Sequence, residues 1–182
     1  MILRIYTDGA CSGNQNETNL GGWGAILEFG EHRKELYGSE ANTTNNRMEL
    51  TAVIEALKAL NRDGLTIEVF TDSSYVANCF KQKWYVKWEK NGWINSQKKP
   101  VENPQLWQEL LALVRRHEHV TFYQVKGHVN LNSPNTNLDK HFQKFCSLNG
   151  PVCDPADFRH IIEQNNRADE LANIGIDEIR PE

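Results

Sequence analysis

Four carboxylates have the setting that metal-assisted chemistry needs. Ile5-Tyr6-Thr7-Asp8 and Val69-Phe70-Thr71-Asp72 each run an apolar stretch into Thr-Asp. Laid side by side in parallel, two such strands deliver both acids to one sheet edge, where open α/β sheets bind their ligands. Taken singly, an Asp after a strand is an ordinary turn former or helix cap; the echo between two segments is what makes the pair informative. Glu49 precedes Val53, Ala56 and Leu60 at helical spacing. That puts a charge on the stripe that must face the sheet, although a glutamate in the first turns of a helix also suits the helix dipole. Asp169 repeats the pattern with Ala172 and Ile176. Charged side chains are rarely buried unless paired or metal-bound, and acids gathered at one edge repel unless cations hold them. Carboxylate oxygens with open water positions suit a hard cation, Mg²⁺ or Mn²⁺.

The elements that must position these groups are legible from periodicity. Residues 2–7, 22–29 and 32–38 are rich in aliphatic and aromatic side chains and are separated by Gly-bearing turns, the pattern of hairpin-linked strands. Residues 45–60 switch to helical spacing with Asn or Thr available as N-cap. A strand at 65–71, a helix from Ser73, a helix around 105–117, a strand at 120–125 and a last helix near 166–179 follow, giving the order βββαβααβα. Strands alternating with helices imply parallel pairing through crossovers, hence an α/β fold with a mixed sheet.

Composition sets the outer bounds. A chain of 182 residues, 39% hydrophobic, suits a single domain over 1–182 with its own core. The opening MILRIYTDG carries Arg4 and has no apolar run long enough for a signal peptide or a membrane span, so a cytoplasmic location without membrane association is expected. Cys11, Cys79, Cys146 and Cys153 are scattered, the spacing of reduced thiols rather than a disulfide framework. The formal charge of −4 conceals an asymmetry: residues 81–99 hold six lysines against Glu89 alone, about +5, and the remainder is about −9. A local basic stripe on an acidic body can still bind a polyanion, because screening makes the near field count most.

The stretches YTDGACSGN (6–14), GGWGAIL (21–27), TTNNRMEL (43–50), TDSSYV (71–76), KGH (126–128) and NNRADELAN (165–173), taken in order, resemble bacterial type I ribonuclease H. The resemblance implies a mixed five-stranded sheet with helices on both faces. It also implies hydrolysis of the RNA strand of RNA/DNA hybrids with two Mg²⁺ ions, Mn²⁺ being a possible substitute; separately, a monomer with no obligate protein partner is expected. Asp8, Glu49, Asp72 and Asp169 match the family's catalytic carboxylates, with Asp8 bridging the metals, and His128 matches its loop histidine. Cys11, Asn14, Asn45 and Asn46 match minor-groove contacts, and Thr44 and Asn103 match a pocket for a DNA-strand phosphate. Residues 81–99, with three of the five tryptophans, resemble the basic protrusion of the bacterial enzymes; Trp84 matches its DNA contact, with Trp88, Trp93 and Trp107 left as packing residues.

One departure from the family stands out. His128 and Asp169 are 41 residues apart where the family has a short loop, so residues 129–164 form an insertion. Leu138, Phe142, Phe145 and Leu148 make a helical stripe ended by Asn149-Gly150-Pro151, and Asp154-Pro155 reads as N-cap and N1 of a second helix with Phe158, Ile161 and Ile162. A helical hairpin docked near the catalytic loop is expected, restraining His128 or extending substrate contact. His141, Cys146, Cys153 and His160 could bind zinc, but their spacings fit no compact motif. Among other functions, a non-catalytic hybrid-binding module keeps the Trp-Lys segment yet has no need of four matching acids.

Overall fold

A computed structural model describes residues 1–13 and 18–181. Three long strands open the chain, β1 (Leu3–Ser12), β2 (Leu20–Phe29) and β3 (His32–Ala41), followed by α1 (Asn45–Lys58), β4 (Thr66–Thr71), α2 (Ser74–Lys81), α3 (Trp84–Lys90), α4 (Pro104–Val114), β5 (His119–Gln124), α5 (Leu138–Asn149) and α6 (Pro155–Ile179). The sheet order is β3-β2-β1-β4-β5. The hairpin-linked strands pair antiparallel, whereas β1–β4, separated in the chain by β2, β3 and α1, and β4–β5, joined through α2, α3 and α4, pair parallel.

Alternation along the strands divides the core into two layers. Leu3, Ile5, Ala25, Leu27, Ile67 and Val69 face a cluster with Leu50, Val53, Ile54 and Leu57 of α1 and Trp107 and Leu110 of α4. Tyr6, Ile26 and Phe70 point the other way, against Phe158, Ile161, Ile162, Ala168 and Leu171 of α6 and Phe145 of α5. Helices therefore cover both faces, and α1 and α6, which carry Glu49 and Asp169, are each seated by an apolar stripe.

Two helices depart from the expectation. α3 is separate from α2 because Lys83 adopts a left-handed backbone, φ 54°. The helix expected at 166–179 starts at Pro155 and runs unbroken for 25 residues, capped by the Asp154 carboxylate accepting from Asp157 N. No Pro or Gly interrupts residues 156–174, so the second arm of the expected hairpin and the last helix are one rod. Polar locks fix its first turns to the sheet. The Arg4 guanidinium donates to both Asp157 oxygens at 2.7 Å and to Glu68 at 3.2 Å, while Glu28 accepts from Tyr6 at 2.9 Å and meets His160 at 2.7 Å.

Candidate active site

The parallel β1–β4 pairing ends with Thr7 opposite Thr71; β4 stops there while β1 runs on beside β2, so Asp8 and Asp72 follow as neighbours just past the last parallel pair. Glu49 reaches them because α1 lies unusually close to β1. A Cβ on Gly9 would come within 2.5 Å of Glu49 N and 2.6 Å of Met48 C, so the glycine in Thr-Asp-Gly is what lets the first turns of α1 descend onto the strand. The cap that starts α1 there is Thr44, whose hydroxyl accepts from Arg47 N at 3.1 Å. Ligand oxygens of Asp8, Glu49 and Asp72 all lie within 4.8 Å of one another.

Burial and crowding dominate the electrostatics. Asp8 and Glu49 are each only 3% exposed. Burial first, then the charges of Glu49 and Asp72, push the Asp8 carboxyl up to about 11. Burial, then Asp72, holds Glu49 well above the ordinary carboxylate range, and burial raises Asp72. Gly9 N donates to Asp8 Oδ1 at 2.9 Å, but Glu49 Oε2 and Asp72 Oδ1 are buried without a hydrogen-bond partner. Orphaned, mutually repelling oxygens in a tight cluster are a poor structural device and a good fit for a divalent cation. No such cluster of His, Cys, Asp and Glu forms around Cys146 and Cys153 among the described residues; all four cysteines are free, and His160 is held by Glu28.

Asp169, in the middle of α6, stands just outside the trio. It is near enough to Asp8 for hydrogen bonding between them to raise the Asp8 pKa, and His128 Nδ1 lies 3.6 Å from its Oδ2. His128 is three-quarters exposed and left-handed, φ 57°, on the loop after β5. Three contacts that sequence reasoning missed hold this loop. A Cβ on Gly127 would meet Asp72 Oδ2 at 2.4 Å. Asn166 donates to Val129 O at 2.9 Å. Asn149, at the end of α5, donates to Gln124 O at 2.8 Å and accepts from Gln124 N at 3.0 Å, behaving as a one-residue extra strand on the open side of β5. In sequence Asn166 resembles any polar helix residue and Asn149 marks only a helix end, so for these contacts the glycine of KGH alone carried a signal.

The expected substrate residues spread over the adjoining surface. Asn14 lies outside the described residues. Cys11 is half-buried, its thiol 3.8 Å from Thr43 O, and burial raises its pKa. Asn45 is exposed and Asn46 half-buried at the start of α1. Asn103, left-handed at φ 54°, begins α4 with its side-chain Nδ2 buried and partnerless. Trp84 is half-exposed; its indole N–H donates to Gln82 at 2.8 Å, and its ring sits 6.1 Å from Trp88, which continues through Trp107 into the core. Of the six protrusion lysines, Lys81 is committed to Leu148 O and Asn149 Oδ1.

Comparison with known proteins gives one family. The family model described as RNase H matches residues 2–146. The ribonuclease H of Symbiobacterium thermophilum is 52% identical over 172 residues, 94% of this chain and 92% of its own length. That of Chlorobaculum parvum is 43% identical over 176 residues, 97% of this chain and 96% of its own. Among solved structures, LC9-RNase H1, described as a type 1 RNase H with the type 2 active-site motif, superposes with a TM-score of 0.70 at 27% identity, covering 98% of this chain and 74% of that one.

Proposed function

The chain belongs to the RNase H family, and from that premise we propose that it cuts the RNA strand of RNA/DNA hybrids at a two-cation centre, leaving 5′-phosphate and 3′-hydroxyl ends. The observation that carries the reading is the convergence of Asp8, Glu49 and Asp72 with two buried oxygens left partnerless. Asp8 would serve both cations, with Glu49 and Asp72 holding one and Asp169 helping to hold the other, a reading supported by the clustering of the first three carboxylates. Mg²⁺, or Mn²⁺ in its stead, supplies Lewis acidity at the phosphate and at the attacking water. His128, exposed beside Asp169, would give a proton to the leaving 3′ oxygen, a role that imidazole can fill.

Strand discrimination needs groups that sense 2′-hydroxyls. Asn14, Asn45, Asn46 and Cys11 are the minor-groove set, the amides both donating and accepting. Thr44 and Asn103 hold a DNA-strand phosphate, a role that the partnerless Asn103 Nδ2 supports. Trp84, its N–H already satisfied, offers a ring face to a DNA sugar.

Cleavage of end-labelled RNA/DNA hybrid in Mg²⁺ and in Mn²⁺ tests the reading, with duplex DNA and duplex RNA as controls and Asp8→Asn as the inactive variant. Cutting of the hybrid alone, lost in the variant, is expected. Hybrid binding without cutting would make the protein a binding module instead.

A further inference from the structure

A cleft of about 380 Å³ lies between α5 and the segment after β5, lined by Lys126, His128, His141, Lys144 and Leu148 together with Asp72 of the carboxylate centre. His141, Lys144, Phe145 and Leu148 follow the i, i+3, i+4, i+7 spacing, so a single face of α5 supplies this wall. Phe145 is 4% exposed and roots that face in the core, while Leu148 is 50% exposed. The Asn149 clamp on Gln124 and the Lys81 contacts to the end of α5 fix the wall in advance, so occupation costs little ordering. Among the described residues neither Lys126 nor Lys144 enters an ion pair. Two uncommitted ammonium groups around an apolar floor, adjoining a centre that takes a phosphodiester, match the chemistry of one nucleotide: phosphate on the lysines, sugar and base against the apolar side chains.

We propose that this cleft is a subsite for a nucleotide of the strand that the carboxylates cut, with Lys144 and Lys126 holding the phosphodiester next to the scissile one. The assignment rests on the nuclease reading above. A strand whose scissile phosphate lies between Asp72 and His128 has the α5 wall beside it, because both residues line the same cleft. The insertion is thus a part of the substrate surface.

Steady-state cleavage of a hybrid over a salt series, by the wild-type protein, Lys144→Ala and Lys140→Ala, tests the subsite. Lys140 is exposed on the same helix but does not line the cleft. Lys144→Ala is expected to lower kcat/KM about three- to tenfold at low salt, through KM, and to flatten the slope of log(kcat/KM) against log salt by about 0.7–0.9, one phosphate contact. Lys140→Ala should leave both unchanged. A single methylphosphonate beside the scissile linkage should impair the wild type and impair Lys144→Ala less, because there only Lys126 is left to lose its phosphate. Equal effects of the two lysines, or additive effects of variant and methylphosphonate, would overturn the subsite while hybrid cleavage by the wild type keeps the nuclease reading. A wild type that fails to cut the hybrid removes that reading, and the subsite with it.

Discussion

Replacing Asp8 by Asn in protein freed of divalent ions by chelation should stabilise the fold while abolishing hybrid cleavage. The oxygens of Asp8, Glu49 and Asp72 lie within 4.8 Å of one another, and two unit charges at that distance repel by about 3.5 kcal/mol at an effective dielectric near 20. Protons retained by the cluster relieve part of this, so a net gain of about 2 kcal/mol is expected, or roughly 4–8 °C in Tm for a chain of this size. The sign with pH follows from the raised carboxyls. In the folded state Asp8 titrates near 11, against about 4 when unfolded, so the folded state binds more protons between those values. The stabilisation is complete below pH about 4 and is lost as pH rises toward the folded value. The wild type should therefore lose Tm steadily from pH 5 to 9 in EDTA, and Asp8→Asn should lose less. Thermal melts at several pH values measure both slopes. Equal slopes, or a lower Tm for Asp8→Asn at pH 8, would refute the view that burial and mutual repulsion strain this centre. Mg²⁺ should raise the wild-type Tm and leave the variant nearly unmoved.

Other expectations are more local. His128→Ala should lower kcat about 100-fold or more with an unchanged Tm, since the side chain is three-quarters exposed; single-turnover cleavage measures it. Asn149→Ala should cost about 1–3 kcal/mol in urea melts, because it leaves both backbone groups of Gln124 without partners. Arg4 holds the Asp157 carboxyl below the usual range, so its contribution is present above the unfolded pKa of about 4 and is lost as pH falls below it. Asp157→Asn should accordingly destabilise the protein at pH 7 and narrow the gap from wild type near pH 3. Asn103→Ala should raise KM for the hybrid several-fold and leave kcat within about twofold, as expected for a group that binds a non-reacting phosphate.

Much of the frame could be read from residue patterns because local rules and tertiary demands agreed there. Apolar runs ending in Thr-Asp are strands whose parallel pairing stops at that point, and an Asn or Thr cap followed by the Val53, Ala56 and Leu60 stripe announces α1 whatever it packs on. The expectation broke where a local signal had a distant cause. A last helix expected near 166–179 leaves Asn165 outside it, yet Asn165 is 1% exposed inside α6 and Asn166 reaches back to Val129. Lysine has no preference for a left-handed backbone, so nothing near Lys83 announces the break between α2 and α3. Asn149 was legible as a helix stop; its pairing with Gln124 belongs to tertiary structure alone. The carboxylate trio was legible through type and spacing, whereas the closeness of Asp169 and His128 depends on how α6 lies across the sheet.

The unbroken α6 also bears on how the molecule comes into being. The rod packs on β1, β2 and β3 from the far end of the sequence, and contacts of such long separation close late and slowly. A chain emerging from the ribosome at about 5–20 residues per second can form the β1–β3 hairpins and α1 many seconds before residue 155 exists. Through that interval Tyr6, Ile26 and Phe70 have no cover, and Asp8, Glu49 and Asp72 meet without Asp169. A chain halted before residue 155 would expose this sticky, half-clothed sheet, and cleavage by the proposed centre would wait on the helix that completes the fold.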